Sequence, residues 1–385
     1  MTTVVHGARK VDGDGVVERF WVLFDGDVIG EVGTGDSWRS RVVAGTTVVD
    51  AAGRWLTPGF LDLHSHGGGG WSFDDGPDAI KAALAMHRGH GTTRSVISLV
   101  ANPLPSLLVS LETIATLAEA DPLILGAHLE GPYLARNHRG AHNPDFLRSP
   151  TAADVATILA RAHGRLVQIT IAPELPGSLD AIDAFVDAGV VVAIGHTDAD
   201  LALTKEAFAR GATLLTHAFN AMPGIRHREP GPVVAAFDDP RIALELIVDG
   251  FHVHPDVVKM AFLIAPHRIV MITDAMAAAG SSDGHYRLGS LNVSVSDGRA
   301  LLSGTSTIAG STLTQDAALR WAVEVSGVDP VLAVAALTAT PARAIRRDDE
   351  FGYLRPGFAA DAVLLDDQWV VHEVYAAGRP VHGRS

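Results

Sequence analysis

Pro58-Gly59-Phe60-Leu61-Asp62-Leu63-His64-Ser65-His66-Gly67 opens as an apolar run and closes on His-x-His, ahead of three more glycines at 68–70. Residues i and i+2 of a strand face the same way, so His64 and His66 are expected to project together from the carboxyl end of a strand. Two imidazoles placed like this can share a metal ion. By itself the pair also has a chance reading, so its meaning depends on what closes the later strands.

From 56 to 345 the chain alternates between short β-branched runs and Ala/Leu-rich segments with helical spacing. There are eight such runs, at 60–66, 92–100, 123–130, 166–172, 190–196, 213–217, 242–248 and 268–273. Helical spacing falls at 78–89, 106–120, 151–163, 179–188, 200–210 and 255–264, with a final helical region at 313–325. Eight strand–helix repeats over roughly 290 residues predict an α/β fold of the (β/α)8 TIM type, for which about 250 residues is usual. A doubly wound open sheet is the alternative, but no G-x-G-x-x-G follows an early strand. Residues 1–55 and 346–385 read as short strands and turns. Val16 to Phe24 is bracketed by Gly13-Asp14-Gly15 and the turn Asp25-Gly26-Asp27. Chain termini often lie together, so both ends are expected to pair into one small β-sandwich domain beside a catalytic barrel at 56–345.

The 385 residues are 47% hydrophobic and 19% charged, the composition of a globular chain with a large core. A formal net charge of −14 argues against a nucleic-acid partner. There is no cysteine, so any transition metal must be held by imidazole and carboxylate, which suits zinc, iron or manganese. The start lacks the segments of a secretory leader, and no run of about 18 apolar residues suggests a membrane span, so a cytoplasmic location is expected.

Barrels of this type carry their sites at the carboxyl ends of the strands. The third run closes on His128-Leu129-Glu130-Gly131-Pro132 and the fifth on Gly195-His196-Thr197. The sixth closes on Thr216-His217-Ala218-Phe219-Asn220, the seventh leads to Asp249-Gly250-Phe251-His252, and the eighth ends in Thr273-Asp274-Ala275. With the first run, six of the eight close on a metal-binding or proton-transferring residue type. His128 and Asp62 lie one layer deeper and read as hydrogen-bonded supports. Glu174 follows a proline and reads as structural, Asp198 as a helix cap or loop residue, and His254 as a surface or cavity-wall residue. A divalent ion here would lower the pKa of water and make hydroxide available, and an Asp at the last strand could move the proton. Arg226-His227-Arg228 is either an anion-binding knot or a surface cluster paired with Glu229.

These motifs resemble the N-acetylglucosamine-6-phosphate deacetylases of the amidohydrolase superfamily, over nearly the whole chain. The resemblance rests on Pro58-Gly59-Phe60-x-Asp62-x-His64-x-His66, His128-Leu129-Glu130-Gly131-Pro132-Tyr133 and Gly140-Ala141-His142-Asn143-Pro144. It extends to Arg228-Glu229-Pro230-Gly231, Asp249-Gly250-Phe251-His252-Val253 and the closing Leu354-Arg355-Pro356-Gly357. Many members of the superfamily bridge two metals with a modified Lys on the fourth strand; here that run has none and the carboxylate is Glu130. Gly195-His196-Thr197-Asp198-Ala199 departs from the more usual Ser and Asn after the histidine. The resemblance implies that Glu130, His196 and His217 hold a principal ion, zinc or else Fe2+ or Mn2+. It implies a second ion on His64 and His66, Asp274 as acid/base close enough to touch a metal, and His142 polarising the acetamide carbonyl. Asn220, Ala221, Arg228 and His252 would contact the sugar phosphate, with Ala141 and Ile308 on the pocket wall. The expected partner is a phosphorylated amino sugar, and a homodimer that completes the phosphate pocket is implied. A cyclic-amide hydrolase, a deaminase or a non-catalytic barrel are the alternatives.

Overall fold

The computed structural model describes residues 2–383. Eight parallel strands form the central sheet. They are β1 (Phe60–Ser65), β2 (Thr92–Leu99), β3 (Ile124–Glu130), β4 (Leu166–Ile171), β5 (Val191–Ile194), β6 (Leu214–Leu215), β7 (Ala243–Ile247) and β8 (Ile269–Ile272). Each pairs with the next in sequence. The ring closes where the Asp274 N–H donates to the His64 carbonyl at 2.8 Å and the His66 N–H to the Ala275 carbonyl at 2.7 Å. All eight expected runs are strands. Several are shorter than expected, which leaves His66, His196, His217 and Asp274 just beyond the paired segments.

Alternation decides what faces where. Ile97, Leu99, Leu129, Ile169, Ile171, Val192 and Ile194 pack outward into the main apolar core with the helices. The residues between them carry polar groups inward. Ser98 Oγ meets His128 Nδ1 at 2.9 Å, His128 Nε2 meets Thr170 Oγ1 at 2.9 Å, and Thr170 meets Thr216 at 2.8 Å. The helices Pro77–Gly89, Leu104–Ala120, Ala152–Arg161, Ser178–Asp187, Leu201–Ala209 and Pro255–Ile264 fall where the periodicity places them. Three more, Gly231–Asp238, Pro330–Leu337 and the short Ala339–Ala344, escape that reading. The first opens on Gly-Pro, which reads as a breaker, and the second is apolar all round, so neither shows a polar face to mark its period. The expected helix at 313–325 is Gln315–Arg320 followed by a wider π turn, Trp321–Val325.

A three-stranded antiparallel sheet also went unforeseen: Gly284–Leu288, Leu291–Ser296 and Arg299–Leu302. It follows β8 and brings Leu288, Thr307 and Ile308 to the cavity at the carboxyl end of the barrel.

The chain ends meet in one small β domain. Thr2–Asp12, Gly15–Asp25, Val28–Thr34, Thr47–Asp50 and Trp55–Pro58 join Ala362–Leu365, Val371–Ala376 and Arg379–His382 in an eight-stranded sheet. Val5, Phe20, Val22, Phe24, Leu56, Leu364 and Tyr375 form its own core. Pro58-Gly59 joins this domain to β1. A Cβ on Gly59 would lie 2.2 Å from Thr93 Oγ1, so only glycine fits the crossing. Beside it the buried Arg94 donates from Nε to Asp361 Oδ2 at 2.6 Å and from Nη1 to the Pro122 carbonyl at 2.7 Å.

Removing Arg94 leaves the Asp361 carboxylate buried without its cation. Arg94→Ala should therefore cost about 3–5 kcal/mol, read as a lower urea midpoint. An unchanged midpoint would show that the pair does not tie the barrel to the small domain.

Candidate active site

His64 and His66 project from the end of β1 as expected, with their Nε2 atoms 3.2 Å apart. Glu130, closing β3, reaches between them and the later strands. Its Oε2 lies 3.1 Å from His66 Nε2, and its Oε1 lies 3.0 Å from His196 Nε2 and 3.1 Å from His217 Nε2. Asp274 Oδ1 completes the first set, 3.2 Å from His66 Nε2 and 3.7 Å from His64 Nε2. All six side chains are buried.

The backbone at these positions is unusual. His196 (φ 46°), His217 (φ 24°) and Asp274 (φ 48°) all take positive φ, a region that side chains other than glycine rarely occupy. Each turns sharply at its strand end, aiming a side chain inward. Gly195 allows the first turn, because a Cβ there would lie 2.6 Å from Thr216 Cβ. Glu174 holds the far side, accepting from Thr197 Oγ1 at 2.5 Å and from the Asp198 N–H at 2.6 Å, so its structural role is clear. Asp198 is a loop residue that pairs with His138 Nε2 at 2.9 Å, while Asp200 caps the helix. Asp62 supports from below, accepting from Thr273 Oγ1 at 2.6 Å. His254 is exposed, with its Nδ1 3.3 Å from the Asp256 N–H at a helix start.

Hydrogen bonds fix where the imidazole lone pairs point. His196 Nδ1 donates to the His138 carbonyl at 2.7 Å, and His64 Nδ1 to Glu245 Oε2 at 3.1 Å. In the neutral rings each Nε2 then carries a lone pair, and both face Glu130, itself an acceptor. Lone pairs and carboxylates converging on one point with no donor between them suit a divalent cation. The 3.0–3.1 Å separations at Glu130 Oε1 approach the edge of about 3.3 Å expected for tetrahedral zinc. His142 is close enough to join the ligands but its tautomer differs. Its Nδ1 accepts from the Ala101 N–H at 3.1 Å, so its Nε2 carries the proton, 3.3 Å from Glu130 Oε2.

Burial works against protonating His64 and His66, but Glu130 with Glu245 holds His64 well above its ordinary value and Asp274 with Glu130 raises His66 to about 9, so each must shed a proton to take an ion. Burial works against ionising Glu130, but His64, His142 and His196 outweigh it and hold the carboxyl well below its usual range. Asp274 is lowered likewise, with burial opposed by His66 and His64. Burial pushes His196 down to about 4, leaving it neutral as a ligand must be. Burial also drives His128 well below its ordinary value, so it stays a neutral link in the barrel's hydrogen-bond chain.

These groups form the floor of one cavity of about 450 Å³. Ala141, His142, Asn220, Ala221, His252 and Ile308 line it, as expected. His64 lies beneath. Arg228 does not reach it: the residue is exposed and borders a separate depression with Asp200, Pro223 and Glu229. The 223–230 segment turns outward, and its ion pair with Glu229 is made by Arg226, at 3.2 Å. The arginines that do border the cavity are Arg136 and Arg139, which the sequence reading passed over in the loop after Tyr133. It also missed Glu245, the single carboxylate in the apolar run of β7; a lone Glu there was the available signal. His252 is half of a pair with Asp249, Nδ1 to Oδ2 at 2.7 Å. Burial works against its protonation, but Asp249 raises its pKa above the ordinary value.

The amidohydrolase family profile matches residues 55–381. An N-acetylgalactosamine-6-phosphate deacetylase of Escherichia coli O157:H7 is 38% identical, covering 86% of this chain and 89% of its own length. An N-acetylglucosamine-6-phosphate deacetylase of Danio rerio is 34% identical over 86% of both chains. Among solved structures, a point mutant of the N-acetyl-D-glucosamine-6-phosphate deacetylase of Mycobacterium smegmatis in complex with N-acetyl-D-glucosamine-6-phosphate superposes with a TM-score of 0.93. It is 39% identical and covers 99% of both chains.

A raised pKa keeps His252 cationic to higher pH, so inorganic phosphate should bind best at low pH and be lost as pH rises through that pKa. In the metal-loaded protein, NMR should place the His252 titration above its ordinary 6.5. Asp249→Asn should move both the titration and the loss of phosphate binding to lower pH. A titration unmoved by that substitution would show that Asp249 does not hold the charge.

Proposed function

The chain belongs to the amidohydrolase family, and on that premise we propose that it hydrolyses the acetamide of N-acetyl-D-glucosamine 6-phosphate, giving D-glucosamine 6-phosphate and acetate. The observation that carries this reading is one cavity holding both an acid/base carboxylate among metal-ligand types and an imidazole poised for an anion. Glu130, His196 and His217 are the ligands we assign to a principal divalent ion, and His64 and His66, with Glu130 shared, to a second; Asp274 lies beside the His64–His66 pair. Zinc suits this set of nitrogen and oxygen donors. A bound divalent ion supplies Lewis acidity, polarising the amide carbonyl and lowering the pKa of water.

The chain's own residues do the rest. His142 presents its Nε2–H toward the position of the amide oxygen and steadies the charge that grows there. Asp274, whose carboxyl is held below its ordinary range, accepts the proton of the attacking water as the new C–O bond forms. It returns that proton to the amine nitrogen as the C–N bond breaks. Asn220, the Ala221 backbone and the walls at Ala141 and Ile308 orient the sugar, and His252 meets the phosphate.

Arg228 enters this scheme from outside its own cavity. We assign it to the phosphate site of a second copy, which makes the working unit a homodimer; Ile225, in the same outward segment, is exposed as an interface residue would be. We assign catalysis to the barrel and support to the small domain built from both chain ends, with Trp55–Pro58, expected mostly in the barrel segment, lying in the small domain's sheet. No helix among the described residues is long and apolar enough to cross a membrane, and the proposed location is the cytoplasm.

Metal-replete protein should release acetate from N-acetylglucosamine 6-phosphate far faster than from the unphosphorylated sugar. The 4-epimer, N-acetylgalactosamine 6-phosphate, belongs in the same assay, and faster turnover of it would reassign the substrate. Activity on none of the three would overturn the reading.

Asp274→Asn should lower kcat about 100- to 10,000-fold. Near-normal turnover would remove Asp274 from the proton path. Arg228→Ala should raise KM for the phosphorylated sugar about 10- to 100-fold and leave the unphosphorylated sugar unaffected. Equal losses on both would overturn the phosphate assignment.

A further inference from the structure

Glu245 has no part in the scheme above, yet it is fully buried on β7. An ionised carboxylate inside a barrel is costly unless donors meet it. Three do. His64 Nδ1 lies 3.1 Å from its Oε2 and the His217 N–H 3.4 Å from the same oxygen, while Gln168 Nε2 donates to Oε1 at 2.8 Å. These donors come from β1, β4 and the turn after β6.

We infer that Glu245 is a positioning residue that keeps the His64 proton on Nδ1 and so makes the His64–His66 pair able to take a second ion. The inference rests on the two-ion reading given above. A neutral imidazole has one proton and one lone pair, and a carboxylate can only accept, so Glu245 claims the proton. The lone pair on Nε2 is then left facing His66 Nε2, Glu130 and Asp274, at 3.2, 3.4 and 3.7 Å. Among the described residues no other group is placed to take over this duty. His128 stands edge-on to the His64 ring at 4.6 Å, but both its nitrogens are engaged by Ser98 and Thr170. Asp62 accepts from the His64 backbone, not from the ring. An amide at 245 could instead donate to Nδ1, which would move the proton to Nε2 and block the ligand position. The His217 N–H meets the same Oε2, but only through the backbone and at 3.4 Å, the longest of the three contacts, so its loss bears least on where the His217 ring sits. Loss of the negative charge should therefore fall on one ion, not on both.

The test counts zinc per chain by mass spectrometry after dialysis in a zinc buffer, for the unaltered full chain, Glu245→Gln, His64→Ala and the double variant. The unaltered chain should hold two ions and His64→Ala one. Glu245→Gln should keep one ion tightly and bind the second about 10- to 100-fold more weakly, the scale set by partners of metal-bound histidines. The double variant should be no worse than His64→Ala. Glu245→Gln that binds both ions with unchanged affinity overturns the inference, and so does one that folds but loses both, since the carboxylate would then be a general prop. If Glu245→Gln does not fold, nitrogen-15 NMR of the unaltered zinc-loaded chain decides. A proton on His64 Nδ1 supports the inference, and one on Nε2 overturns it. An unaltered chain that holds a single ion removes the two-ion reading and this inference with it, whereas two ions in both chains removes this inference alone.

Discussion

Glu130 sets two carboxylate oxygens between imidazoles from three other strands, and a charge buried that deeply survives only where cations or donors surround it. Most features around it follow from that demand. Four strand ends must arrive within about 3 Å of one point, a tolerance loops alone do not keep. A closed ring of parallel strands delivers it, because each strand is fixed by two neighbours. Where a straight strand would carry the side chain past the point, the backbone turns through positive φ, at His196, His217 and Asp274.

The cost of those turns is met by the layer beneath. Glu174 braces the His196 loop, Asp62 braces Thr273 beside Asp274, and the chain from Ser98 through His128 to Thr170 and Thr216 fills the barrel interior with satisfied polar groups. An apolar filling would pack as well, but it would leave imidazole orientation free. Within the barrel Glu245 decides which nitrogen of His64 faces the centre, while loop backbone does the same above it, the His138 carbonyl for His196 and the Ala101 N–H for His142.

Much of this was legible in the chain. Eight β-branched runs alternating with helical segments pointed to the barrel, and a His, Glu or Asp at six of the strand ends to its chemistry, because both are local signals that repeat. What escaped was non-local or unpatterned. The sheet at 284–302 interrupts the repeat, and Pro330–Leu337 is buried on every side and so shows no amphipathic period. Glu245 was passed over because its partners lie far away in sequence. Arg228 was placed on the pocket by its motif, but the motif does not reveal which way its segment turns. Arg136 and Arg139 sit in a loop whose course only the folded chain determines.

The sheet that unites both chain ends has a consequence for synthesis. Trp55–Pro58 pairs with Ala362–Leu365, so the amino-terminal strands leave the ribosome about 300 residues before their partners. Through that interval one edge of the sheet offers unpaired N–H and C=O groups to any passing strand. The barrel faces a similar wait, since β1 closes only on the segment after β8. A nascent chain of this kind stays adhesive until its last 25 or so residues emerge, and the cell must shield it until then.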